Sequence, residues 1–160
     1  MKDNTDIQVA LREINAWLAQ HSDLTASVDE TEGLQENRIG EYEAGSVFSK
    51  EIIIRVSEKH IRDMLDEDEF DYEETVSEQL QLTVYHEVGH ALFEQLIDWS
   101  ENIYELDAAI EGDFGKRFHD VFFDDGQDEE SVVEDFATGF YQLTGSLLER
   151  CWMETNKIIN

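Results

Sequence analysis

The chain has 160 residues, and its 39 acidic side chains against 11 basic ones give a formal net charge of -28. A charge of that size repels nucleic acid and anionic membrane surfaces, so neither is an expected partner. Cys151 is the single cysteine, which rules out an intramolecular disulfide and a cysteine-built zinc site. The length suits one domain spanning 1–160. The acidity reads either as a solvated surface or as adaptation to high ionic strength, where screening within about 3 Å at 1 M salt removes most self-repulsion.

Residues 5–20 are expected to form an amphipathic helix. Ile7, Leu11, Ile14 and Leu18 recur at helical spacing with Trp17 alongside, and Thr5 with Gln8 offers a capping box. This start lacks the basic region followed by an apolar one that marks a signal peptide, and no apolar run reaches the ~18 residues of a membrane span. A cytoplasmic location is the expectation. From Leu24 to Val56 the period changes, and LTASV, RIGEYEAG and SVFSKEIIIRV suggest two or three short strands, with a polar turn at Gly33 and a hairpin bent at Gly40 and Gly45. An exposed edge of such a sheet can hold a peptide extended.

Residues 57–65 suggest a short helix, with His60 as a surface residue. The acidic run DEDEFDYEETVSEQ that follows lacks the glycine and ligand register of an EF-hand loop, so it reads as a solvated connection. Next comes a helix from Ser77 to Ile97, apolar over much of its surface and headed by Thr75 and Glu78 as a capping box. It carries His86, Glu87 and His90 in the arrangement HExxH. Positions i and i+4 share a helix face, so both imidazoles can reach one ion, and neutral imidazoles suit Zn2+. Glu87 points about 100° round the helix, where its carboxylate can serve as a general base towards zinc-activated water.

A catalytic zinc needs a third protein ligand. The extended pattern HExxHxxGxxH fails, because Phe93 and Leu96 stand where it needs glycine and histidine. A distant carboxylate is then the natural donor, and Glu134 in SVVEDFATGFYQL is preferred, lying beside the apolar stripe of Val133, Phe136, Ala137 and Phe140. Asp135 is the second choice, with His119 and Asp120 behind it. The intervening segment 98–127 is expected to hold one short helix, residues 103–110, and loops bordering the cleft. After Phe140 the helix is expected to continue through Leu147 and Leu148 to Trp152.

HEVGHAL followed 44 residues after the second histidine by EDFATGF resembles the gluzincin metallopeptidases, in particular compact zincin domains similar to the anthrax lethal factor-like group and small phage and bacterial zinc peptidases. The resemblance covers roughly residues 38–143 and is specific at the two motifs. It implies zinc on His86, His90 and Glu134, Glu87 as base, and peptide-bond hydrolysis. Two positions depart from the pattern. The acid four residues after the third ligand is Thr138, so Asp135 or another acid must orient a histidine. The tyrosine seven residues before the third ligand is Gln127, so the oxyanion donor falls to Tyr141, Tyr104 or His119.

The resulting expectation is a single α+β, zincin-like domain. An N-terminal helix and small twisted sheet pack on the HEVGH helix, and a C-terminal helix carries the third ligand. Its function is that of a zinc metallopeptidase acting on a peptide or protein substrate. The alternative is a non-catalytic zinc-binding regulatory or inhibitor module of viral or mobile-element origin.

Overall fold

The computed structural model describes residues 5–29, 38–43, 50–109, 128–142 and 147–159, and the side chains of these outside 97–109 and 154–159. In chain order the elements are α1 (Thr5–His21), β1 (Thr25–Val28), β2 (Gly40–Glu43), β3 (Glu51–Val56), α2 (Glu58–Met64), α3 (Tyr72–Ala109), α4 (Glu129–Tyr141) and α5 (Leu147–Ile159). The fold is α+β, with five helices and a three-stranded mixed sheet among the described residues. No helix there is long and apolar enough to cross a membrane.

The β-branched run Ile52-Ile53-Ile54 makes β3 the central strand, in the order β1-β3-β2. β1 pairs with it in parallel, Ala26 opposite Ile52, and β2 pairs antiparallel, Tyr42 opposite Ile54. Alternation along β3 sends Ile52 and Ile54, both fully buried, into the core. Arg55 points to the other face, where it bonds Asp29 at 3.2 Å and Glu43 at 3.1 Å, just beyond the end of β1 and at the end of β2. The two outer strands differ in their free edges. Asn15 of α1 closes that of β1, its amide donating to Ala26 O at 2.9 Å while its Oδ1 accepts from Ala26 N at 2.7 Å. Among the described residues nothing comparable covers β2.

The first helix follows its expected stripe, burying Ile7, Leu11, Ile14 and Leu18. Ser57 caps α2 by accepting from His60 N at 3.2 Å, and His60 itself bonds the Arg38 carbonyl at 2.6 Å. Two boundaries differ from expectation. The metal helix and the separate short helix expected after it are one helix, α3, which begins at Tyr72 within the acidic run. No glycine or proline falls between Gly89 and Gly112, so nothing in the backbone forces a stop. The C-terminal helix expected to run unbroken to Trp152 is instead α4 and α5. The first ends at Gln142, whose N–H turns back to Thr138 O, ahead of the poor helix formers Thr144, Gly145 and Ser146.

Helix α3 crosses the centre of the fold, touching the sheet, α1, α2, α4 and α5. Val84, Val88 and Leu92 are wholly buried there, as are Phe136 on α4 and Leu148 on α5. Each such burial contributes about 1.5–3 kcal/mol. Gly89 fixes the spacing of α3 and α4, since a Cβ there would lie 2.9 Å from Phe136 Cδ1 and 3.0 Å from Val133 Cγ1. The helix that carries the histidines is thereby seated directly on the one that carries the acids.

Candidate metal centre

A cleft of about 1100 Å³ lies between β2, the middle of α3 and the start of α4. From α3 it receives His86, Glu87 and His90; from α4, Glu129, Glu130, Glu134 and Ala137. Glu130, Glu134 and Ala137 are spaced i, i+4 and i+7, one face of the helix. Asp128 caps α4, accepting from Ser131 N at 2.8 Å, and these bonds hold its carboxyl below the usual range. That cap sets the phase in which the acids meet the histidines.

The two imidazoles present their inner nitrogens to each other, Nε2 to Nε2 at 3.0 Å. One carboxylate spans both: Glu130 places Oε1 3.1 Å from His90 Nε2 and Oε2 3.5 Å from His86 Nε2. The outer nitrogens have their own partners. His90 Nδ1 lies 2.8 Å from Glu129 Oε1, and His86 Nδ1 lies 3.3 Å from Glu134 Oε2. A carboxylate only accepts, so a neutral ring that donates its Nδ1–H outward leaves its Nε2 as an acceptor, the tautomer that a cation between the two rings would select. Burial, and then the neighbouring His90, lower the pKa of His86 and favour its neutral form.

In that tautomer the two Nε2 atoms and the Glu130 carboxylate are all acceptors. His86, His90 and Glu130 are the described group whose ligand atoms lie within 4.8 Å of one another. Tetrahedral zinc with bonds of about 2.0–2.1 Å has donor–donor edges of about 3.3 Å, and the spacings here bracket that value. Donor chemistry fits as well, with two imidazoles, one carboxylate and outer-nitrogen partners that fix both rings.

Glu87 is 8% exposed and lines the cleft, and none of the described residues gives its carboxylate a hydrogen bond. Burial raises its pKa to about 7; a protonated His90 would work against this, as does Arg38, while Glu130 and Glu41 add to it. Gly40 of β2 lies flat against this group. A Cβ at position 40 would meet Thr83 Cγ2 at 2.7 Å and Glu87 Oε1 at 2.8 Å, so only glycine lets the strand approach so closely. The strand then brings the Tyr42 ring over His90 with its plane within 4° and centroids 5.5 Å apart.

The expected residues are therefore distributed as follows. His86, Glu87 and His90 share the cleft. Glu134 is beside them, on the outer nitrogen of His86, and Glu130 occupies the inner position. Asp135 and Thr138 are exposed, and neither they nor Tyr141, itself 38% exposed, are among the cleft's lining residues. His119, Asp120, Gln127 and the Tyr104 side chain lie outside the described residues. Sequence reasoning missed Glu129, Glu130, Gly40 and Tyr42. Glu130 had a signal, since it stands four residues before Glu134 on the same helix face. The two β2 residues had none, being more than 40 residues from the histidines. No protein family, curated protein or solved structure matches the chain.

Proposed function

We propose that the chain is a metal-dependent hydrolase. More narrowly, it is a zinc metallopeptidase in which His86, His90 and Glu130 hold the ion and Glu87 is the general base. The observation that carries this reading is the meeting of two imidazole Nε2 atoms and a carboxylate, an arrangement that a bound cation makes favourable. Zinc bound there supplies a Lewis acid and an acidified water. Glu87, buried in the same cleft and with a pKa near neutrality, is suited to take a proton from water and deliver it to a leaving nitrogen. The edge of β2 beside it, which none of the described residues covers, suits a substrate with an extended backbone, which is why a peptide is the favoured class.

This ligand set departs from the gluzincin resemblance, whose EDFATGF motif puts the third ligand at Glu134. With Glu130 as third ligand, the acid four positions later is Glu134 and not Thr138, and Glu134 is the residue on His86 Nδ1. The test is metal analysis with a peptide-library digest at low and high salt, on the parent chain and on Glu87→Gln. The parent should bind one zinc and cleave; the variant should keep the zinc and lose cleavage. Equal cleavage by the variant refutes the mechanism, and a parent that holds zinc without cleaving at either salt is a non-catalytic binding module.

A further inference from the structure

His90 is more tightly confined than its partner. Glu129 holds its Nδ1 at 2.8 Å, and His86 meets its ring edge-on at 4.7 Å and 74°. The Tyr42 ring lies parallel to it in an offset stack. Burial, and then the nearby carboxylate of Glu94 one helical turn beyond His90 on α3, raise the pKa of the Tyr42 hydroxyl. His86 has no such stack; its outer partner is 3.3 Å away and its side chain is more exposed than that of His90.

Gly40 explains how a strand residue reaches this position. Residues 40 and 42 share a face of β2, so the contact that requires glycine against Thr83 and Glu87 sets the distance at which the ring two residues on meets His90.

We infer that Tyr42 is a positioning residue that fixes the plane of the His90 imidazole for metal binding, an inference that rests on the metal-site reading above. A ring held before the ion arrives has no freedom to lose on binding, and partners that orient a ligating histidine typically account for 10–100-fold in affinity. Plain packing predicts something else for Tyr42: its truncation lowers stability and leaves the metal untouched.

The experiment uses the full chain with Tyr42→Phe, Tyr42→Leu and Tyr42→Met. Two quantities are read: the ring-proton NMR shifts of His90 in the zinc-free protein, and the zinc dissociation constant by chelator competition. In the parent, the stacked ring displaces the His90 signals. Tyr42→Phe should keep that displacement and lose less than tenfold in zinc affinity. Tyr42→Leu should abolish it and lose 10–100-fold while still unfolding cooperatively. If the leucine variant does not fold, Tyr42→Met decides, because it too removes the stacked ring while keeping a long side chain in its place. It should shift the His90 signals and weaken zinc severalfold, and unchanged values would overturn the inference. A leucine variant that binds zinc like the parent overturns it too. A parent that binds no zinc but shows the displaced signals refutes the metal reading and leaves the stack as packing alone.

Discussion

Gly89→Ala tests whether helix packing sets the geometry of the donors. The added methyl would sit 2.9 Å from Phe136 Cδ1 and 3.0 Å from Val133 Cγ1, and both residues are wholly buried, so neither can yield into solvent. Ordinary carbon contacts begin some 0.5 Å further out, so relief requires α4 to move away from α3. Overpacking costs about 1–3 kcal/mol. Replacing glycine by alanine inside a helix returns about 1 kcal/mol. The expected net loss in urea unfolding of the metal-free chain is therefore about 0–2 kcal/mol. The more telling number is zinc affinity, because α4 carries Glu129, Glu130 and Glu134: moving it loosens the proposed ligand and both orienting acids, for a loss of about tenfold or more. Chelator competition measures this directly. A variant that binds zinc as tightly as the parent, whatever its stability, refutes the claim that Gly89 sets the separation on which the site depends.

Two further outcomes follow from the site. Glu130→Gln should weaken zinc more than Glu134→Gln, because the first removes a donor and the second an orienting partner, whose loss is about 10–100-fold; the reverse ranking would restore Glu134 as the ligand. In the metal-free chain, Glu87 has a folded pKa of about 7 against an ordinary 4.5. A raised carboxyl pKa favours the protonated folded state, so this group opposes folding increasingly as pH rises from about 4.5 to about 7, by about 3 kcal/mol at the top of the window. Urea unfolding at pH 5 and pH 8 should show Glu87→Gln gaining stability over the parent only at the higher pH, and parallel curves would contradict this.

What could be read from the sequence was local. His86 and His90 share a helix face by spacing alone, and the apolar stripes of α1 and α3 follow from period. The continuity of α3 was also available, since its sequence contains no breaker after Gly89. Strand order was not, because alternation identifies a strand without naming its partner, and nothing in LTASV says that it pairs in parallel with β3. The third donor is a closer choice. Glu130 and Glu134 lie on the same face of α4, so periodicity treats them alike; what separates them is one turn of height, about 5.4 Å, against a different helix. Tyr42 was invisible because its partner is 48 positions away, and only the folded sheet brings it over His90.

Glu130 stands in the first turn of α4, forty residues beyond His90 on α3. An ion shared by the two would therefore tie a chain loop as well as complete a coordination shell. In the unfolded protein, a closure of that length costs on the order of 4 kcal/mol in entropy by the relation used for disulfides. A chain with one cysteine cannot make such a tie covalently. Its acids and histidines would provide a reversible one, formed when metal is present and released by a chelator.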